Sequence, residues 1–139
     1  MSSFTTERTE TTEGFTEDMN IISGRIVDCA IQVHRKLGPG LLESAYQHGL
    51  VYMFAKHNLS FEKERIFAIK IDDYPIDAGY RADFIIAGKI LVEIKSVDRL
   101  LPIHDAQLLT YMKLGNYGLG LLFNFNEKLL KNGIKRMSL

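Results

Sequence analysis

At 139 residues the chain is long enough for one domain with a real core and too short for two. A hydrophobic share of 46% beside 24% charged residues excludes a disordered or fibrous chain, and no uninterrupted apolar run approaches the length that spans a bilayer. Seventeen basic and seventeen acidic residues cancel, but Glu7, Glu10, Glu13, Glu17 and Asp18 face only Arg8 in the first twenty residues; the remainder holds 16 basic against 12 acidic residues, a net of +4 that suits a polyanionic partner.

The N-terminus has neither a basic flank nor an apolar segment, so it does not read as a secretory signal. The single cysteine, Cys29, excludes an internal disulfide, and a reducing, cytoplasmic setting with no membrane partner is the expectation. Cys29 falls in the apolar stripe of a helix and reads as a buried, inert thiol rather than a nucleophile.

Residues 1–18 are polar and low in complexity and read as a disordered tail, ahead of a single domain over 19–139. From Asn20, apolar residues at Ile22, Ile26, Ala30, Val33 and Leu37 predict a helix that Gly38-Pro39-Gly40 stops. A second helix opens at Leu42, with Leu42, Ala45, Tyr46, Gly49, Leu50 and Met53 on its buried face, and ends near Asn58. Glu43 lies in its first turn, where a carboxylate is favoured by the free N–H groups whatever else it does.

Phe61 to Ile71 reads as a strand, Asp72-Asp73-Tyr74-Pro75 as a turn, and a short strand fits before Tyr80. Ala87-Gly88-Lys89 interrupts two β-rich runs, so Tyr80 to Lys95 is a hairpin. Glu93 and Lys95 then point to one face and Val92 and Ile94 to the other. Pro102 marks a connection, His104 to Gly115 a helix with Gln107 and Tyr111 on one face, Tyr117 to Phe125 a strand buried on both sides, and Ile134 to Leu139 a short strand or tail. This α-α-β-β-β-α-β order is an α/β sandwich with a mixed sheet.

If the hairpin sets Asp83 beside Glu93, two carboxylates converge with an ammonium group close by, and a cation between them relieves their repulsion. Oxygen donors without sulfur or imidazole suit Mg²⁺. Such a set serves phosphodiester hydrolysis: the metal acidifies a water and shields the phosphate, Lys95 adds a fixed positive charge, and Arg81 holds a flanking phosphate. Each residue also has a plainer reading. Glu93 and Lys95 can be a same-face ion pair, Asp83 a turn cap and Arg81 the partner of an acid. His34, His48, His57 and His104 show no ligand spacing.

Gly40-Leu41-Leu42-Glu43-Ser44-Ala45-Tyr46 has the form G-x-x-E-x-x-Y. It is followed by Tyr80-Arg81-Ala82-Asp83, Glu93-Ile94-Lys95, Gln107-Leu108-Leu109-Thr110-Tyr111 and Leu121-Leu122-Phe123-Asn124-Phe125. Over residues 20 to 136 this resembles the GxxExxY protein family, a branch of the PD-(D/E)XK nuclease superfamily. The resemblance implies a restriction-endonuclease-like core, a mixed β-sheet flanked by helices, and a nuclease that uses Mg²⁺ or Mn²⁺ on DNA or RNA. It implies Asp83, Glu93, the carbonyl of Ile94 and Glu43 as metal ligands, Lys95 as the group that orients water and stabilises phosphate charge, and Gln107 and Tyr111 at the border of the active site. Ala82 stands where the superfamily's proline would be. With no recognition domain evident, a homodimer holding two strands is a further expectation. The alternative from another class is a non-catalytic nucleic-acid-binding or accessory module that retains the fold.

Overall fold

A computed structural model describes residues 8–139, with side chains for residues 18–76 and 80–139. The chain runs α1 (Arg8–Leu37), α2 (Glu43–Lys56), β1 (Phe61–Ile71), β2 (Tyr74–Ile86), β3 (Ile90–Lys95), α3 (Pro102–Gly115), β4 (Leu119–Asn124), a 3-10 turn (Leu130–Gly133) and β5 (Ile134–Ser138). The strands form one sheet in the order β1-β2-β3-β4-β5, antiparallel except for the parallel pair β3/β4 that α3 connects. This is the expected mixed α/β sandwich with helices on both faces. No helix among the described residues is long and apolar enough to cross a membrane.

The pleat divides the apolar residues of β3 between two layers. Ile90, Val92 and Ile94 join Ile26, Ala30, Val33, Tyr46, Leu50 and Phe54 under α1 and α2. Leu91 joins Leu108, Met112 and Leu122 under α3. All six residues of β4 are buried, because β4 has a strand on each side and a helical layer on each face. Gly120 lets α3 approach it: an added Cβ would lie 2.6 Å from Met112 Sδ.

Several boundaries differ from the sequence reading. α1 starts at Arg8, so the tail expected over 1–18 overlaps its first turns, while residues 1–7 lie outside the described residues. The apolar repeat from Asn20 marks where the helix packs, and a helical backbone needs no such repeat to extend beyond it. Leu42 is the N-cap residue of α2 and is 79% exposed instead of on the buried face. Only Asp72 and Asp73 form the turn, with Asp72 at φ +53°, and Tyr74 and Pro75 already pair with Ile71 and Lys70. Because β3 pairs only with Phe84–Ile86, the start of β2 has an open side on which a residue lacking an N–H is tolerated. The β2–β3 turn is as read: Ala87 and Gly88 have φ +55° and +66°, and Lys89 N–H closes it on the Ile86 carbonyl at 3.0 Å.

Candidate active site

The sheet comes apart at one residue, Asp83. The β2/β3 ladder runs Ile86↔Ile90, Ile85↔Leu91 and Phe84↔Val92 and goes no further. On the other side, β1 pairs Lys63↔Phe84 and then Arg65↔Ala82, passing over Glu64, whose φ is +58°. The face alternation slips at the same place, with Ala82 and Ile85 in the α3 layer and Phe84 and Ile86 in the α1/α2 layer. Asp83 therefore has no regular partner on either side, and side chains substitute for the missing rung. The Asp83 N–H donates to Glu93 Oε1 (3.0 Å), and the Ile94 N–H donates to Asp83 Oδ2 (2.8 Å).

The convergence of Asp83 and Glu93 is thus present, and its electrostatics are those of two carboxyls that have left water. Glu93 is only 6% exposed. Burial first, then the charge of Asp83, pushes its carboxyl up to about 8. Asp83 is also raised, chiefly by burial and further by Glu43, against the lowering effect of the Ile94 N–H and of Lys95. Lys95, half-buried at the end of β3, lowers both carboxyls through its charge.

On the α2 side Asp83 opens onto a cleft of about 280 Å³ that Glu43, Gln47, Glu64, Arg81 and Ile94 also line. Glu43 and Gln47 lie one helical turn apart on α2. Gln47 Nε2 donates to Glu64 Oε2 at 3.4 Å, and Arg81 Nη1 lies 3.8 Å from Glu64 Oε1. The acid paired with Arg81 is thus Glu64, on the adjacent strand. Neither Gln47 nor Glu64 was singled out from the sequence. The spacing of Gln47 from Glu43 carried a signal, whereas the left-handed backbone of a glutamate carried none.

Gln107 and Tyr111 stand in the other layer. Tyr111 stacks on Tyr80, and the Tyr80 hydroxyl donates to Glu93 Oε2, so the tyrosine pair holds Glu93 from behind the cleft. Burial, followed by the charge of Glu93, raises the Tyr80 hydroxyl far above its ordinary range, which keeps it a donor. Tyr80 is the third residue, after Gln47 and Glu64, that sequence reasoning passed over as a functional group. Gln107 Oε1 is buried without a hydrogen-bond partner.

The G-x-x-E-x-x-Y segment supplies the cleft's rim. Gly38 and Gly40 take φ +69° and +97°, the second outside the range where a side chain is comfortable. Tyr46 is fully buried against Phe125; its hydroxyl donates to the Gly38 carbonyl (2.6 Å) and accepts from Leu41 N–H (3.1 Å). Gly40 N–H donates to Asn126 Oδ1 (3.0 Å), and Ser96 Oγ donates to the Leu41 carbonyl (2.7 Å). Buried Asn124, opposite Lys95 in the β3/β4 register, fixes the next loop: its amide donates to the Val97 carbonyl and accepts from Val97 N–H, both at 3.0 Å.

Among the described residues no group of three or more His, Cys, Asp or Glu side chains is placed to hold a metal ion. The oxygen groups that could hold one are the Asp83/Glu93 pair and the backbone carbonyl of Ile94. Two hard oxygen donors whose ionised forms repel fit a small divalent cation that keeps most of its water.

Among curated proteins none matches the chain in sequence. The solved structure of SSO0001 aligns with a TM-score of 0.48 and 26% identity over 70% of this chain and 49% of its own, so the chain spans about half that protein's length. Residues 20–137 match the model of the PD-(D/E)XK nuclease superfamily, a span that includes every element around the cleft. The chain belongs to the PD-(D/E)XK nuclease superfamily.

Proposed function

We propose that the protein is a nuclease of the GxxExxY type that hydrolyses phosphodiester bonds in nucleic acid with the help of Mg²⁺ or Mn²⁺. The observation that carries this reading is the break in the sheet at Asp83, which sets two carboxyls together beside an open cleft, with Lys95 two residues beyond Glu93. Asp83 and Glu93 would hold the cation, with the Ile94 carbonyl as a third donor and Glu43 reaching it through water. When bound, the cation supplies charge shielding for the phosphate and a more acidic water.

The chain's own groups supply the rest. Lys95 places an ammonium group where charge builds on the non-bridging oxygens. Arg81 lies on the cleft wall in an exposed 3.8 Å pair with Glu64, too weak to hold it from a flanking phosphate. Tyr80 and Tyr111 orient Glu93. Gln107, on α3 with its amide oxygen buried and without a hydrogen-bond partner, is assigned to the border of the site. Burial excludes bulk water from Glu93, which strengthens its interactions with Tyr80, the Asp83 N–H and a bound cation.

Purified protein incubated with single- and double-stranded DNA and RNA is expected to cleave at least one of them in Mg²⁺ or Mn²⁺ and none in chelator. Glu93→Gln and Asp83→Asn are expected to slow cleavage about a hundredfold or more. Cleavage that persists in chelator, or that Glu93→Gln leaves unchanged, would overturn the assignment.

A further inference from the structure

The residue at the N-cap of α2 is a leucine that serves the fold poorly. Ser, Thr, Asp or Asn would satisfy a free N–H there, whereas Leu42 makes no capping hydrogen bond and exposes 79% of its surface. Leu41 beside it is also exposed. The loop that carries them is fixed at Gly38, Gly40 and Leu41 by Tyr46, Asn126 and Ser96. Two apolar side chains are thus held out to solvent by a tethered backbone. The next residue, Glu43, lines the cleft that contains Asp83.

In a nucleotide, phosphate and base are one sugar apart. A strand whose phosphodiester sits at Asp83 and that leaves the cleft over the start of α2 passes residues 41 and 42, which adjoin the cleft through Glu43 without lining it. Exposed polar groups at the rim would suit phosphate, whereas two leucines suit the less polar parts of a nucleotide, its sugar and base faces. On the nuclease reading above, on which this step rests, we infer that Leu41 and Leu42 form an apolar ledge that takes a nucleobase flanking the scissile phosphate, with Leu42 the main contact. The ledge favours strands whose bases are unpaired, because a base stacked inside a duplex does not present its face.

The test is Leu42→Ser, which places a favoured residue at the N-cap and is expected to leave Tm unchanged or raised. Binding is measured by fluorescence anisotropy on a labelled single-stranded oligodeoxynucleotide and on an abasic strand with the same number of phosphates; cleavage is followed separately on gels. Wild type is expected to bind the strand with bases about tenfold more tightly than Leu42→Ser does, and the two proteins are expected to bind the abasic strand equally. Leu129→Ser, which removes an exposed leucine outside the cleft, is expected to change neither. Equal binding of the strand with bases by wild type and Leu42→Ser would overturn the ledge and leave the nuclease reading standing. Leu42-dependent binding without cleavage would support a base contact at Leu42 but overturn the nuclease reading, and with it the assignment of that base to a scissile phosphate. Absence of binding to both strands would overturn the ledge, and cleavage gels would judge the nuclease reading separately.

Discussion

Metal-free protein is expected to lose stability as pH rises from about 5 to about 8, through the carboxyl of Glu93. In the unfolded chain this group gives up its proton near 4.5; in the folded protein, burial and the Asp83 charge delay that to about 8. Between those values the folded state holds a proton that the unfolded state has lost, so stability is greatest at the acidic end and falls as pH climbs. Each unit of pKa difference corresponds to at most about 1.4 kcal/mol. Reorientation of nearby dipoles and water around the ionised pair recovers part of this, leaving a loss of about 2 kcal/mol from pH 5 to 8. For a chain of this size that is about 6 to 10 °C in Tm. Calorimetry in chelator across that range, on wild type and Glu93→Gln, checks it. The glutamine keeps an acceptor for Asp83 N–H and removes the titration, so its profile flattens. Mn²⁺ added at pH 8 should restore the wild type by mass action and leave Glu93→Gln unmoved. A wild-type Tm that is level or rises with pH, or an equal slope in the variant, refutes the reasoning.

Tyr46→Phe removes the hydroxyl between the Gly38 carbonyl and Leu41 N–H, and is expected to cost about 1 to 3 kcal/mol in urea unfolding and to slow cleavage by loosening the loop ahead of Glu43. Asn124→Ala leaves both polar groups of Val97 without their partner and is expected to cost about 2 to 4 kcal/mol, read by the same denaturation.

The hairpin and its acids were legible because they rest on local rules. Positive φ at 87 and 88 needs a permissive residue such as Gly88, and antiparallel counting from that turn sets Asp83 opposite Glu93. Counting could not show that the rung between them is missing, because the break also depends on the backbone of Glu64 across the sheet. For the same reason the reach of Tyr80 to Glu93 was hidden. The position of Leu42 was misjudged because periodicity assigns faces only inside a helix, and Leu42 stands at its margin. The role of Tyr46 in G-x-x-E-x-x-Y could be placed only once Gly38 and Phe125 were seen around it.

The tethers of the Gly38–Gly40 loop join parts of the chain that are far apart. Gly40 meets Asn126 across 86 residues, Leu41 meets Ser96 across 55, and His34 Nε2 lies 2.7 Å from the carbonyl of Glu127 across 93. Closing intervals of that length costs entropy that local helices and hairpins do not incur, so such contacts form late in folding. A chain still emerging from the ribosome, or one cut before Asn126, has Glu43 and the acids of the sheet and keeps the tethers from Tyr46 and Ser96, but lacks the anchor on Gly40 and the carbonyl that meets His34. Full tethering of the rim is therefore tied to the segment after β4: a fragment that carries every acid of the cleft would still hold its rim at fewer points.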